Sequence, residues 1–503
     1  MPAVRFLSAA RPWVKRMADM AGQIKPRKIS FTNQMFAEAF VSSVFTLTLP
    51  RIGQITVDTK GNSNPLVFNR ETQTFFVSHD EQGRYYELEH AVDLSPPIVL
   101  AFREYAKVNH PEVNMTAARI KDIFIAIPSE LPRIFEEQKG HPSLAFTDQT
   151  IQLTNFKFTP HDKANFVTMS FPFASADLKK PTPNFDLFLL QTFNLIDLPN
   201  EEQIKTVHTI EEMIGFYLAN HTKEPAIFFF FGPGRTGKST MLNLIQKLFP
   251  RDQRSSLSIE AMSQGGFALQ PLIGKRVNCP DEDESELANT GLLKALSTPG
   301  TLFTIQRKFL SALNIELPVK HLFSCNNLPK FKDVDSGVKR RFHIIPFENV
   351  VPNDCQDKNL DDKLFSEAPG IVGRAIEGLK RFMARNQEWD FPEFIKDAKE
   401  EFYVESNPAF DFILREYKLL EGSAQDNFAL WTSINDLYKH YQEDNPSTGL
   451  GQMSRVNFGR KVMSALSAPY QARKGHQSQK FFNIERINPD NLFGMKRVWT
   501  PKI

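Results

Sequence analysis

FFFFGPGRTGKSTMLNLIQKLF, residues 228–249, passes from four consecutive phenylalanines through a glycine-rich turn into a segment with apolar residues at helical spacing. The run at 226–231 has the length of a buried parallel strand, and Met241, Leu242, Leu244, Ile245 and Leu248 repeat as one face of a helix. Between strand and helix, Gly232, Gly237, Lys238 and Ser239 satisfy the GxxxxGK[ST] spacing, with Pro233, Gly234, Arg235 and Thr236 inside the loop and Thr240 following it. Glycines let the backbone curl so that successive N–H groups point at phosphate oxygens, and the helix amino terminus adds its dipole. Lys238 then reaches the β- and γ-phosphates, and the Ser239 hydroxyl ligates magnesium. The stretch predicts a nucleoside triphosphate site.

Such a loop does not separate a kinase from a GTPase, a signalling ATPase or a motor, so the downstream segments decide. In LIGKRVNCPDEDESE, residues 272–286, Ile273, Val277 and Cys279 make a modest strand that ends in Asp281, Glu282, Asp283 and Glu284. Acids at the carboxyl end of a strand beside a phosphate loop hold magnesium and orient an attacking water. Four consecutive acids are as readily a solvated face. VKHLFSCNNLPKF, residues 319–331, reads as a strand closed by Asn326 and Asn327 and broken at Pro329. DSGVKRRFHIIPFE, residues 335–348, reads as a turn feeding a strand that begins with Arg340 and Arg341. A strand-end amide reaches a γ-phosphate, and an exposed arginine reaches into a neighbouring subunit's site.

Composition bounds the rest. The 503 residues are 41% apolar and 23% charged, an ordinary globular balance sized for about three domains. No apolar run approaches the ~20 residues of a membrane span. Cys279, Cys325 and Cys355 have neither zinc spacing nor a disulfide framework, which fits a reducing, cytoplasmic setting. The formal charge of +2 is unevenly spread: residues 454–503 hold ten Lys or Arg against Glu485 and Asp490, so that end is expected to meet polyanions. Residues 1–30 carry seven Lys or Arg and one acid, Asp19, and read as a basic arm in preference to an organelle-targeting segment.

In order, GPGRTGKST, GKRVNCPDE, TIQRKFLSALNIELPVKHLFSCNNLPKF and SGVKRRFHIIPFE resemble the motifs of the superfamily 3 helicases, within them the poxvirus and phage primase-helicase family. The resemblance extends upstream through LAFTDQTIQLTNFKFTPHDKANFVTMSFPF and downstream through GIVGRAIEGLKRF, ESNPAFDFI and LWTSINDLYKHYQ, about residues 70–490. It implies an AAA+-type α/β P-loop ATPase core with a parallel sheet, preceded by an α+β domain and followed by a helical and winged-helix domain. The implied boundaries are 1–30 for the arm, 31–200, 201–351 for the core and 352–503. It also implies ATP and Mg2+, single-stranded or forked DNA, a homohexamer, and a primase or polymerase on another chain.

By the same resemblance the magnesium and water-activating acids fall on Asp281 and Glu282, the sensor asparagine on Asn326, and the arginine finger on Arg341 with Arg340 second. Pro280 directly before Asp281 leaves that register open by one residue. The DNA hairpin falls between 304 and 317, with Arg307 and Lys308 in reach. TIEEMIGFYLAN, residues 209–220, reads as an amphipathic helix started by a Thr209–Glu212 capping box, an oligomerisation collar or core packing on the sheet. QARKGHQSQKFFNIERI, residues 471–487, reads as a β-hairpin wing offering Arg473, Lys474 and Lys480 to phosphates. The expected activity is a replicative helicase of a phage, virus or mobile element. Its rivals are a DNA-binding ATPase for origin recognition or packaging and a signalling ATPase indifferent to DNA.

Overall fold

The computed structural model describes residues 32–49, 53–60, 64–69, 74–78, 85–88, 96–131, 143–219, 222–283, 285, 287–307, 310–331, 336–352, 356–405, 408–419, 432–444, 454–466, 471–474, 479–482 and 484–486. The basic segment 1–30 and Lys308 lie outside them. The chain divides into two compact units, the first holding the described residues within 32–68, 75–78 and 88–131.

In that first unit, α1 (Asn33–Val41) is capped by the Thr32 hydroxyl, which accepts from the Met35 amide at 3.2 Å. It packs on α3 (Ala117–Glu130), capped in the same way by Thr116. The hairpin β1 (Val44–Leu49) and β2 (Gly53–Asp58) alternates exposed and buried residues, so Phe45, Leu47, Ile55 and Val57 share one face. That face, α1, α3 and α2 (Pro96–Asn109) close over Phe36, Phe40, Phe102 and Ile123.

The second unit is built on a five-stranded parallel sheet. Its strands are β6 (Ile227–Phe231), β7 (Arg254–Ser255), β8 (Val277–Asn278), β11 (Lys320–Cys325) and β12 (Phe342–Pro346), in spatial order β7-β8-β11-β6-β12. The four phenylalanines are explained by this position. Phe228 and Phe230 point into one apolar layer and Ile227 and Phe229 into another, so the strand is buried on both faces. Phe229 stacks on Phe323 of β11 at 5.4 Å, while Phe228 meets Trp389 edge-on at 5.1 Å.

One layer is helical. α5 (Asn200–Leu218) and α9 (Ala368–Ala384) lie so close that a Cβ on Gly215 would sit 2.2 Å from the Ala375 carbonyl oxygen, and one on Gly378 2.6 Å from the Glu211 carbonyl carbon. Only glycine fits at either contact. Buried Glu211 and Glu212 on α5 are met by Arg374 and Arg381 of α9 and by Arg385 just beyond it. The helix therefore begins nine residues before the expected capping box: Thr209 is buried mid-helix, and Glu212 serves the ion-pair network instead. The same layer contains the antiparallel strands β3 (Ser143–Ala145), β4 (Thr150–Gln152) and β5 (Lys157–Thr159) and the helix α4 (Pro183–Thr192).

Across the sheet, the other layer takes in the helix α7 (Thr290–Ser297), the hairpin β9 (Leu302–Arg307) and β10 (Leu310–Glu316) and the helix α10 (Glu393–Glu405). It also reaches the carboxyl-terminal elements. These are α11 (Ile434–Asp444), α12 (Arg455–Ala465) and the antiparallel hairpin β13 (Gln471–Lys474) and β14 (Gln479–Phe482), with Thr432–Ser433 paired to β14. Two helices and a small antiparallel sheet in this order are a helix pair with a hairpin beside it. No helix among the described residues is long and apolar enough to cross a membrane.

Candidate nucleotide site and arginine edge

The loop 232–237 joins β6 to α6 (Lys238–Lys247) at the carboxyl end of the central strands. Two glycines are demanded by position. Gly232 has φ +146 and a Cβ there would lie 2.0 Å from the Phe347 carbonyl oxygen; Gly237, at φ +91, abuts Phe188 and Thr192 of α4. Thr236 closes the loop by donating to the Pro233 carbonyl at 3.0 Å, and the Arg235 carbonyl accepts from the Val351 amide. Pro233, Gly234, Arg235 and Ser239 are exposed around this turn, with Thr240 partly so.

Lys238, only 6% exposed, turns its ammonium back into the loop. It donates to the carbonyls of Gly232 at 2.6 Å and Pro233 at 2.5 Å and to Oδ1 of Asn326 at 3.1 Å. Burial lowers its pKa, against the opposing pull of the Glu282 carboxylate. Asn326 follows directly on β11, whose Cys325 is the register partner of Phe231, so its amide emerges level with the start of the loop. Its Nδ2 donates to Glu282. Three expected residues are therefore joined in one chain of hydrogen bonds.

The acidic segment reaches this point from two strands away, because β11 stands between β8 and β6. Its members part company. Asp283 is 2% exposed; its Oδ2 accepts from the Ile259 amide at 2.7 Å and its Oδ1 from the Ser285 amide at 3.0 Å. Its own amide donates to the Ser324 carbonyl. That carboxylate ties two loops together, whereas Asp281 and Glu282 are exposed on the site side. Glu284 lies outside the described residues.

Sequence reading passed over Gln246. In the last turn of α6, its Nε2 donates to the Cys279 carbonyl at 2.7 Å and to Asp281 Oδ1 at 3.2 Å. No local pattern marks it, since the partner lies 35 residues away and meets it only through the folded sheet. For magnesium the residues offer the Ser239 hydroxyl and the Asp281 carboxylate. Such a sparse set suits an ion that keeps several waters and takes its other ligands from phosphate.

Arg340 and Arg341 are not part of this cluster. They end the short helix α8 (Ser336–Arg341) just before β12, whose Phe342 is the register partner of Ile227. They lie at the amino end of the sheet, a strand length of roughly 16 Å from the chain's own phosphate loop. Arg341 is partly buried and donates to the Gly337 carbonyl at 3.0 Å and the Thr298 hydroxyl at 3.2 Å; Arg340 is exposed. Burial raises the pKa of Glu224 nearby, against the pull of both arginines.

The hairpin β9–β10 pairs Leu302 with Glu316 through Arg307 with Leu310, with a bulge at Ile305/Arg307. Phe303, Ile305, Leu313 and Ile315 anchor one face in the core, and the Thr304 hydroxyl donates to Asn314 on the other. Arg307 stands at the hairpin's far end, partly exposed, its pKa lowered by burial. In the carboxyl-terminal hairpin Arg473 is opposite Lys480 and Lys474 opposite Gln479.

Residues 230–341, which span the phosphate loop, the acids, Asn326 and both arginines, match a family of unknown function, DUF5906. An alignment 252 positions long, taking in 45% of this chain, is 30% identical to a protein of Acanthamoeba polyphaga mimivirus named "Putative helicase" and covers 25% of that protein. The chain thus spans about a quarter of the length of the curated relative it matches. Among solved structures, the A form apo structure of the NrS-1 C-terminal region is similar over 83% of this chain and 95% of its own, at 13% identity and TM-score 0.44. A further apo structure of the same region covers 84% and 96% at 11% identity and TM-score 0.43.

Proposed function

We propose that this chain is an ATP-driven DNA motor of a virus, phage or mobile element, acting as a replicative helicase in the manner of superfamily 3, with an AAA+-type core. The observation that carries the reading is the split between the two ends of one sheet. Lys238, Asn326, Glu282 and Asp281 gather at its carboxyl end, while Arg340 and Arg341 stand at the other, too far away to serve the same chain. An arginine so placed completes a site only in a neighbour, which makes a homohexameric ring the natural assembly. The helicase name of the mimivirus relative points the same way.

In this reading the loop amides and Lys238 bind the triphosphate of ATP, and Ser239 and Asp281 hold Mg2+, which supplies charge neutralisation at the phosphates. Glu282 orients the attacking water by accepting its proton. Asn326 senses the γ-phosphate, because Lys238 must leave its Oδ1 to reach the nucleotide. Arg340 or Arg341 of one subunit enters the next subunit's site. The tether from Arg341 to Thr298 makes Arg340 the readier to extend. Arg307, at the end of strand β9 in the inner hairpin β9–β10, and Lys308, next in sequence, grip one strand of DNA by its phosphates, and Arg473, Lys474 and Lys480 of the outer hairpin β13–β14 hold forked or duplex DNA. Such a motor works in the cytoplasm of an infected cell, with a primase or polymerase on a partner chain.

Unwinding of a labelled fork with and without ATP, alongside native mass, tests the proposal. Strand separation by a six-subunit species is the expected result. DNA-stimulated hydrolysis without separation would favour the origin-recognition or packaging ATPase instead, and hydrolysis indifferent to DNA would remove both.

A further inference from the structure

A cavity of about 500 Å3 opens at the amino end of the sheet. It lies between the residues leading into β6, the turn at 297–301 before the inner hairpin and the segment at 316–320 behind it. Much of its wall is apolar, including Leu153, Ala226, Leu296, Val319 and Met383. Lys320, the first residue of β11, reaches into it. The ammonium sits 3.4 Å from the centroid of the Phe216 ring and donates to the Thr222 hydroxyl.

Among the described residues Lys320 has no counter-ion. Glu224 and Glu316 line the same cavity, yet among the described residues Lys320 forms no ion pair with either. Lys320 is half-buried, and that burial lowers its pKa, with no carboxylate among the described residues to offset it. A desolvated ammonium is costly unless an anion meets it, and a hydroxyl with one ring face only partly replaces water.

We propose that this cavity is a binding site for a small organic anion, whose carboxylate, phosphate or sulfonate group sets against the Lys320 ammonium while an apolar or aromatic body covers the wall. The volume falls within the ~300–1,000 Å3 typical of small-molecule sites. The site does not depend on the nucleotide reading, since it lies at the other end of the sheet from Lys238. An occupant would touch both the 297–301 turn, whose Thr298 holds Arg341, and the root of the inner hairpin.

The aromatic sulfonate 8-anilinonaphthalene-1-sulfonate is the probe, titrated by fluorescence into the full chain. Saturable binding at one site per chain is expected, displaced by benzoate or by thymidine monophosphate. Lys320→Met keeps the stem and removes the charge. A charge-assisted contact of ~1.5–3 kcal/mol predicts a loss of affinity of about tenfold or more. Because the substitution also removes a desolvated charge, its Tm should equal or exceed that of the parent, so weakened binding would not reflect unfolding. Thr301→Trp, which fills the cavity and leaves Lys320 alone, should abolish the signal as well. Unchanged affinity in Lys320→Met, fluorescence that Thr301→Trp does not reduce, or displacement by neither competitor would overturn the assignment.

Discussion

Asn326 bridges Lys238 and Glu282: its Oδ1 accepts from the lysine ammonium at 3.1 Å and its Nδ2 donates to the glutamate carboxylate. A single amide thus ties the loop lysine to a carboxylate of the acidic segment, the two groups proposed to meet phosphate and water. Asn326→Leu removes both contacts while leaving the loop geometry to Gly232 and Gly237. We expect ATP to bind with little change and turnover to fall by about 10²–10⁴, the range typical of a lost proton-transfer or water-positioning group. Steady-state ATPase with a parallel nucleotide-binding titration checks this. A parent-like turnover number would remove Asn326 from the chemistry.

Within the acidic segment the exposed Glu282, proposed to orient water, stands next to Asp283, which is buried and bonded to two backbone amides. Glu282→Gln should bind ATP and fail to hydrolyse it, with the denaturation midpoint unchanged. Asp283→Asn should behave oppositely, because one of two buried backbone amides loses its carboxylate acceptor, a cost of about 1–3 kcal/mol read in urea unfolding. If Asp283→Asn is stable and inactive while Glu282→Gln turns over, the roles are reversed.

The strand–glycine loop–helix unit was legible because its conformation is local: positive φ at Gly232 and Gly237 needs glycine, and the flanking strand and helix carry their own sequence patterns. The buried parallel strand follows from the unbroken apolar run, because Phe228 and Phe229 turn to opposite layers and both are covered. Motif order brought Asn326 and the acidic segment together as the fold does, yet which of residues 281–283 is buried could not be read from it. That depends on Ile259 and Ser324, which reach the segment only through the fold. The same limit hid Gln246. At 209–212 the local pattern was misleading, since a Thr-x-x-Glu pair also fits mid-helix once Arg381 and Arg385 arrive from 170 residues on.

The arginine edge predicts complementation between two inactive proteins. Arg340→Ala and Arg341→Ala should each leave nucleotide binding intact, and the one that supplies the finger should lose hydrolysis by about 10³–10⁵. Mixing that variant with Lys238→Ala should restore part of the activity, at interfaces where an intact loop faces an intact arginine. Since Arg341 is held by Gly337 and Thr298 while Arg340 is exposed, the stronger recovery is expected for the Arg340 variant. Mixed oligomers on native mass with no recovery for either arginine would defeat the shared site.

Two buried imidazoles make stability depend on pH. His321 is 1% exposed, and its ring nitrogens bond to nothing among the described residues; burial lowers its pKa to about 4. Burial, helped by the Lys399 ammonium 3.3 Å from Nδ1, lowers that of His343 well below the usual range. Both rings stay neutral in the folded chain, while the unfolded chain takes up protons near pH 6.5. Their contribution is therefore present in full above about pH 6.5 and drains away as pH falls toward 4. For His321 the loss amounts to about 2 kcal/mol between pH 7 and 5. His321→Leu removes the titrating group together with two unsatisfied polar atoms. It should be neutral or stabilising at pH 7 and should flatten the fall in urea-unfolding free energy between pH 7 and 5 by that amount. An unchanged slope in the Leu variant would mean that His321 titrates normally and is hydrated in the folded protein.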